Sequence, residues 1–192
     1  MAVTQLHIPL YNGKKSTYSK TLSLTDDGFQ YELIQGVMLV TPAPFEEHQT
    51  LSMKLSWLIN DYLENHPIGR VHAAPRDVRL SEELVYQPDL LYISHQRQQI
   101  SKPQYVDGAP DLIVEILSPS SRLRDTQDKF RDYEYYGVRE YWIMEPNQLI
   151  NSCFYLLSEG KYQSLLPQNN ILYSQVIQGF SLDLTALEKK LK

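Results

Sequence analysis

The strongest chemical signal in this sequence is a carboxylate within an apolar segment. Glu115 lies in the run Leu112–Leu117, whose other residues are all leucine, isoleucine or valine. A buried carboxylate without a partner is costly, so Glu115 requires a cation if this run is an internal strand. Two interpretations are open at this point: an ion pair with a lysine or arginine, or a metal ligand or catalytic acid.

Two further residues could complete such a site. Asp89 follows Pro88, and proline disturbs a strand because it cannot donate to the hydrogen-bond ladder. Lys129 lies on the helix predicted after the Glu115 strand, where a simple i, i+4 pair with Asp125 is the alternative to a catalytic role. Two carboxylates from neighbouring strands could hold Mg²⁺, and a nearby lysine could stabilise phosphate charge or help to deprotonate a metal-bound water.

Motifs for several other chemistries are missing from the sequence. The histidines show no HExxH motif and no close paired spacing, so we do not expect a zinc site; they are His7, His48, His66, His72 and His95. The phosphate-binding patterns GxGxxG and GxxxxGK[ST] and the nucleophile motif GxSxG do not occur. The carboxylates and the lysine therefore favour a metal-dependent phosphodiester hydrolase.

The composition is that of an ordinary globular protein. Of the 192 residues 42% are hydrophobic, and 18 Lys and Arg stand against 23 Asp and Glu, for a net charge of −5. This balance argues against a nonspecific basic nucleic-acid-coating protein, but it allows an enzyme that meets DNA through one local groove. The single cysteine, Cys153, fits a reducing cytosol. Met1–Leu10 lacks the pattern of a signal peptide and no apolar run could span a bilayer, so we expect a cytoplasmic protein without a membrane segment.

The order of the predicted elements indicates an α/β fold. Apolar alternation predicts a hairpin with Gln35-Gly36 at its turn, helical periodicity predicts a helix at 46–65, and 111–117 is typical of a strand covered on both faces. The other predicted strands are 71–74, 78–80, 85–93, 140–144, 152–157 and 164–177, and the other helices are 123–136 and 183–192. We predict a mixed central β-sheet flanked by α-helices, with residues 1–28 as an N-terminal lead-in and 29–192 as one domain.

Several short motifs occur in an order that resembles a known nuclease family. They are Tyr31-Glu32-Leu33-Ile34-x-Gly36, a helix opening at His48, Val85-x-x-Pro88-Asp89-Leu90, Pro110-Asp111-Leu112-Ile113-Val114-Glu115-Ile116-Leu117-Ser118-Pro119-Ser120-Ser121, and Asp125-x-x-x-Lys129-x-x-x-Tyr133-x-x-x-Gly137-Val138-x-Glu140-Tyr141-Trp142. This order resembles the Uma-two family of bacterial restriction endonucleases, within the PD-(D/E)XK nuclease superfamily. The resemblance runs from about Phe29 to Leu184 and implies a restriction-endonuclease-like core.

The resemblance also implies roles for individual residues. Asp89 and Glu115 would be the acidic metal ligands contributed by the second and third core strands. The superfamily's lysine is expected two positions after the glutamate, where this sequence has Leu117. Lys129, on the following helix, would replace it.

Two earlier residues, Glu32 and His48, are candidates for an auxiliary catalytic position. His48 lies on the apolar stripe of its helix, so a histidine that only completes the core is an equal alternative. Asp111 shares a strand face with Glu115, and it could extend the acidic cluster or only cap the strand.

The predicted function is a metal-dependent endonuclease that cleaves DNA with Mg²⁺, or with Mn²⁺ in its place. The alternative is a catalytically inactive nuclease-fold module that binds nucleic acid or protein. Phe154–Leu157, on an expected sheet edge, predicts a homodimer. The arginines of 70–79 and 122–131 are expected either to contact phosphate or to form solvated surface.

Overall fold

The structure is a computed structural model and describes residues 9–25, 27, 29–40 and 43–191. Its strands are β1 (Tyr31–Ile34), β2 (Val37–Val40), β3 (Gly69–Ala73), β4 (Asp77–Ser81), β5 (Leu84–Tyr86), β6 (Leu90–Ser94), β7 (Tyr105–Asp107), β8 (Leu112–Ile116), β9 (Glu140–Met144), β10 (Cys153–Ser158), β11 (Lys161–Ser164), β12 (Ile171–Tyr173) and β13 (Ser181–Asp183). Its α-helices are α1 (Tyr18–Thr21), α2 (Glu46–Asn65), α3 (Lys129–Tyr136) and α4 (Leu184–Lys189). A π-helical turn, Arg124–Asp128, leads directly into α3.

The described strands form two larger sheets and one small hairpin. The smaller of the two sheets has the order β2-β1-β5-β4-β7, the larger has the order β11-β10-β9-β8-β6-β3, and β12 pairs with β13. β8 runs parallel to β9 and β4 runs parallel to β7, whereas the neighbours of β6 are antiparallel to it. The predicted mixed α/β architecture is therefore confirmed.

Strand β8 lies inside the larger sheet and is buried along its whole length. Leu112, Val114 and Ile116 belong to the core that includes the inner face of α2, whereas Ile113 belongs to the core on the α3 side. Because successive side chains alternate between the faces of a strand, Glu115 faces α3. The prediction of a strand covered on both faces is confirmed.

The opening hairpin and helix α2 form as predicted. Gln35 and Gly36 have positive φ angles of 50° and 73°, which suit a two-residue turn that matches the twist of antiparallel strands. Leu51, Leu55 and Ile59 are fully buried at four-residue spacing on α2. This stripe holds the helix against the larger sheet and fixes the position of its first turn.

The prediction of one continuous strand at 85–93 is wrong. β5 belongs to the smaller sheet and β6 to the larger one, and the chain crosses between them at Gln87, Pro88 and Asp89. Pro88 has no N–H to donate, so neither ladder continues through it. The crossing leaves Asp89 at the point where β6 begins.

The prediction that Phe154–Leu157 lies on a sheet edge is also wrong. β10 pairs with β9 on one side and with β11 on the other, so this segment lies inside the larger sheet. Phe154 is 3% exposed and packs in the core. The homodimer stays a prediction, but this segment no longer supports it.

Part of the predicted lead-in packs against the smaller sheet. Residues 1–8, 26 and 28 lie outside the described residues, whereas Tyr18 of α1 is 3% exposed and joins a core cluster with Leu33, Met38 and Val85. The division of the chain at residue 28 stays a prediction. None of the described helices combines the length and the apolar character needed to cross a bilayer.

Candidate active site

One cavity of about 150 Å³ is lined by the five residues predicted from the sequence to be catalytic or metal-binding. These residues are Glu32, His48, Asp89, Glu115 and Lys129. The walls come from β1, the first turn of α2, the start of β6, the end of β8 and the π-helical turn before α3. The cavity therefore lies where the two sheets meet.

Asp89 and Glu115 come from neighbouring antiparallel strands. Asp89 directly precedes β6, Glu115 lies on β8, and the register of the two strands pairs Leu90 with Val114. Asp89 and Glu115 are each the next residue beyond that pair at the same end of the ladder, and both line the cavity. The backbone N–H of Ile116 donates to Asp89 Oδ2 at 2.7 Å and holds that carboxylate over the end of β8.

Glu115 is held by two donors from one face of α3. Lys129 Nζ donates to Glu115 Oε1 at 2.9 Å, and the Tyr133 hydroxyl donates to the same oxygen at 2.8 Å. Lys129 and Tyr133 are four residues apart, so they lie one above the other on the helix. The ion-pair interpretation of Glu115 is thus realised, and Lys129 is its partner.

Lys129 also contacts two other carboxylates. Its Nζ lies 3.1 Å from Glu32 Oε1 and 3.4 Å from Asp125 Oδ1, while Arg124 Nη1 lies 2.8 Å from Glu32 Oε2. Burial disfavours the charge of Lys129, but Glu115, Glu32 and Asp125 outweigh it and raise the Lys129 pKa well above its usual value. Lys129 is therefore a buried ammonium surrounded by carboxylates.

The carboxylates of this cluster respond differently to burial. Burial raises the pKa of Glu115 well above its usual value, with Lys129 opposing the change, and burial likewise raises the pKa of Asp125. Burial also opposes the charge of Glu32, but Lys129 and Arg124 outweigh it and lower the Glu32 pKa. Three buried carboxyl groups thus share two cations, and burial favours a further positive charge at Glu115 and Asp125, supplied by a proton or by a metal ion.

His48 is positioned by Asp89. Its Nε2 lies 3.1 Å from Asp89 Oδ2, and its buried Nδ1 makes no hydrogen bond to the described residues. Burial lowers the pKa of His48, but the hydrogen bond and charge of Asp89 outweigh it and raise the pKa above the usual value. The ring therefore lies against the carboxylate and is not merely packed in the core.

The carboxylates of Asp89 and Glu115 suit a hydrated divalent cation. Among the described residues, hydrogen bonds reach only Oδ2 of Asp89 and only Oε1 of Glu115, which leaves one oxygen of each for a ligand. Mg²⁺ commonly binds through one or two carboxylates and keeps several waters. Within the same described residues, no group of three or more His, Cys, Asp or Glu is arranged for a metal ion, so waters would supply the remaining ligands.

Comparison with known proteins agrees with this architecture. A family model named Uma2, described as "Putative restriction endonuclease", matches residues 18–185. The chain belongs to the Uma2 family. A solved structure described as a putative nuclease belonging to DUF820 from Anabaena variabilis shares the fold, with a TM-score of 0.74 and 18% identity over 92% of this chain and 99% of that chain. No curated protein matches the chain.

The Uma2 match and the shared fold confirm the predicted family and fold class. The sequence did not predict two residues of the cavity in this Uma2 protein. Asp125 lines it from the π-helical turn and Gln87 lines it from the crossing between the sheets, whereas Arg124 belongs to a segment already expected to contact phosphate. The sequence did contain one signal, the i, i+4 spacing of Asp125 and Lys129, but that spacing equally suits a surface pair. Their burial at 1% and 4% exposure separates the two cases.

Asp111 lies outside the cavity and caps the other end of β8. Its carboxylate accepts the N–H of Ser94 at 2.8 Å, and it pairs with Arg97 at 3.2 Å and Arg139 at 3.3 Å. Of the two alternatives for Asp111, the contacts support the strand cap.

Five of the six arginines in the two segments expected to contact phosphate have partners among the described residues. Arg79 pairs with Asp107 and Glu82, and Arg76 donates to backbone carbonyls near Pro103. In the second segment, Arg122 pairs with Glu145, Arg124 with Glu32, and Arg131 with Asp128. Among the arginines of this second segment, Arg124 lines the cavity.

Proposed function

We propose that this Uma2 protein is a metal-dependent endonuclease that hydrolyses phosphodiester bonds of DNA. The observation that carries the proposal is the placement of Asp89 and Glu115 in one cavity at the same end of the β6–β8 ladder, with Lys129 bonded to Glu115. The family's description, restriction endonuclease, supports the reaction class. Asp89 and Glu115 would hold Mg²⁺, or Mn²⁺ in its place.

The metal would supply two effects: a lowered pKa for a bound water, and neutralisation of phosphate charge. The protein's own residues supply the geometry. Lys129 is kept charged by the surrounding carboxylates, and it would stabilise the negative charge that develops on the phosphoryl oxygens. Glu32 holds Lys129 from the opposite sheet, and His48 holds Asp89 in place.

The experiment is cleavage of plasmid and of single- and double-stranded oligonucleotides in Mg²⁺, in Mn²⁺ and in a chelator. We expect cleavage only with metal, and we expect Glu115→Gln to lower the rate by about 100-fold or more. Lys161→Met is the matched control because Lys161 forms an exposed pair with Glu134. Failure to cleave any of these nucleic acids with either metal, or equal rates for wild type and Glu115→Gln, contradicts the proposal.

A second candidate is a catalytically inactive module that binds nucleic acid or protein. It is favoured by one observation, the direct occupation of Glu115 Oε1 by Lys129 and Tyr133. Calorimetric titration with Mg²⁺ separates the candidates. An endonuclease binds Mg²⁺ with a heat that disappears in Glu115→Gln, whereas the inactive module shows no such heat.

The homodimer and the cytoplasmic location stay predictions that accompany this function. Sedimentation at micromolar concentration tests the dimer, and a monomer alone would count against it. Fractionation of the source cells tests the location.

A further inference from the structure

A second cavity, of about 200 Å³, adjoins the candidate active site. Glu32 and Gln87 line both cavities, so they form a shared wall. Tyr11, Tyr18 and Tyr31 line the second cavity beside aliphatic residues of the smaller sheet. No step of the proposed hydrolysis uses this space.

The size and the walls of this cavity suit one flat ring. A cavity of about 150 Å³ in an apolar core accommodates benzene, so about 200 Å³ admits a ring system somewhat larger. Tyr11 and Tyr31 meet edge to face at 5.8 Å, and Tyr18 meets Tyr105 edge to face at 5.1 Å. Tyr11, Tyr18 and Tyr31 line the cavity, and aromatic side chains are a common stacking surface for unstacked nucleobases.

Two polar atoms at this cavity lack a partner. Tyr18 Oη and Gln87 Oε1 are buried, and neither makes a hydrogen bond within the described residues. Tyr18 is 3% exposed. Burial and the nearby charge of Asp77 raise the pKa of the Tyr18 hydroxyl, although the two side chains make no hydrogen bond of acceptable geometry. An unsatisfied buried polar group costs about 1–3 kcal/mol and calls for an explanation. A bound ligand would supply both missing hydrogen bonds.

The charges around the cavity select the kind of ligand. Its described lining residues include Asp27, Glu32 and Asp77 and no lysine, arginine or histidine. A phosphate would be repelled, whereas N–H donors on a neutral ring would meet acceptors. Gln87 Oε1 is an acceptor, and Asp77 Oδ1 already accepts from Gln87 Nε2 at 2.7 Å. Adenine, cytosine and guanine carry an exocyclic amino group of this kind and thymine does not.

We infer that this cavity binds an unstacked nucleobase with an exocyclic amino group, belonging to the DNA strand whose phosphate enters the adjoining active site. The inference rests on the proposed function, because the shared wall of Glu32 and Gln87 sets the base beside the phosphate. Moving a base out of the stack costs free energy, and this cost is smallest in mismatched or single-stranded DNA. The cavity would therefore direct the enzyme to unpaired positions.

The first experiment measures binding of nucleosides to the full chain in a chelator, so that no metal chemistry intervenes. We expect deoxyadenosine and deoxycytidine to bind about fivefold more tightly than thymidine. Tyr18→Phe removes only the unpartnered hydroxyl, so it should keep or raise stability and weaken deoxyadenosine about fivefold. Tyr135→Phe, at a residue 82% exposed, is the control and should change neither.

A second variant blocks the space itself. Leu24, 37% exposed, lies at the cavity, and Leu24→Trp should abolish nucleoside binding with little loss of stability. Single-stranded oligonucleotides that differ by one abasic site provide the link to DNA, and the abasic strand should bind more weakly to wild type but not to Leu24→Trp.

Two outcomes overturn the inference: no saturable binding of any nucleoside, or binding that neither Tyr18→Phe nor Leu24→Trp changes. An abasic strand that binds wild type as tightly as the intact strand also overturns it. The proposed function is tested separately by metal-dependent cleavage. Cleavage without nucleoside binding supports the proposed endonuclease and contradicts the base-binding cavity. Nucleoside binding without cleavage supports the base-binding cavity and contradicts the proposed endonuclease.

Discussion

Lys129 Nζ lies 2.9 Å from Glu115 Oε1, although the two residues are 14 positions apart and both side chains are at most 6% exposed. The pair joins the central strand of the larger sheet to the helix that covers it. Glu32 extends it to the smaller sheet through a 3.1 Å contact with the same Nζ. One ammonium group thus ties together β1, β8 and α3, three of the elements around the cavity.

Replacing Lys129 should destabilise the fold strongly. Lys129→Met leaves buried carboxylates without their shared cation, and breaking such a pair typically costs about 3–5 kcal/mol. Urea unfolding at neutral pH measures the change in the free energy of unfolding. Lys161→Met removes a pair of similar length, 2.8 Å to Glu134, from a lysine that is 78% exposed, and should cost less than about 1 kcal/mol. Equal losses for the two variants would contradict a buried, tightly coupled cluster.

Tyr133→Phe should weaken the site without disturbing the core. The ring packs edge to face on Tyr86 and Tyr141, and phenylalanine keeps those contacts while it removes the donor to Glu115. A hydrogen bond to a charged group is worth about 2 kcal/mol, and we expect a loss of that size in urea unfolding. The exposed Tyr135→Phe is the control, and an unchanged stability of Tyr133→Phe would speak against this hydrogen bond.

His48→Ala should lower Mg²⁺ affinity by about 10- to 100-fold, because residues that orient a metal-binding carboxylate usually have effects of this size. The measurement is the Mg²⁺ dependence of the cleavage rate, with the unfolding free energy measured in parallel. His66→Ala is the control because His66 lies at the exposed end of the same helix. A variant that loses stability but keeps its Mg²⁺ dependence would make His48 a core residue only.

Asp111→Asn should reveal a pH-dependent contribution away from the cavity. Burial opposes the charge of Asp111, but the Ser94 N–H and Arg97 outweigh it and lower its pKa. A lowered pKa in the folded state means that the carboxylate stabilises the protein at neutral pH and that this contribution is lost as pH falls through the lowered value. We expect Asp111→Asn to cost about 2 kcal/mol near neutral pH, with the difference from wild type shrinking in acid.

The unfolding free energy of wild type and Asp111→Asn, measured by urea at several pH values, checks this expectation. A difference between the two proteins that stays constant into the acid range would show that the carboxylate's charge is not what stabilises this end of β8.

Several local features could be predicted from the sequence because they depend on spacing alone. The buried stripe of α2, the turn at Gln35-Gly36 and the strand around Glu115 all follow from residue periodicity or backbone preference. Pro88 indicated a disturbed strand, but it did not reveal that the chain changes sheets there. Which sheet a strand joins depends on partners far along the chain, and no local pattern encodes them.

The sequence by itself determined the residue types of the site, a buried Glu115 that needs a cation, and the order of the elements that carry it. Only the tertiary structure decided which cation pairs with Glu115. The i, i+4 spacing of Asp125 and Lys129 suits an exposed pair as well as a buried cluster, and desolvation distinguishes them. Folding brings Glu32 from the smaller sheet to Lys129, and removal of water makes their interaction strong and its disruption costly.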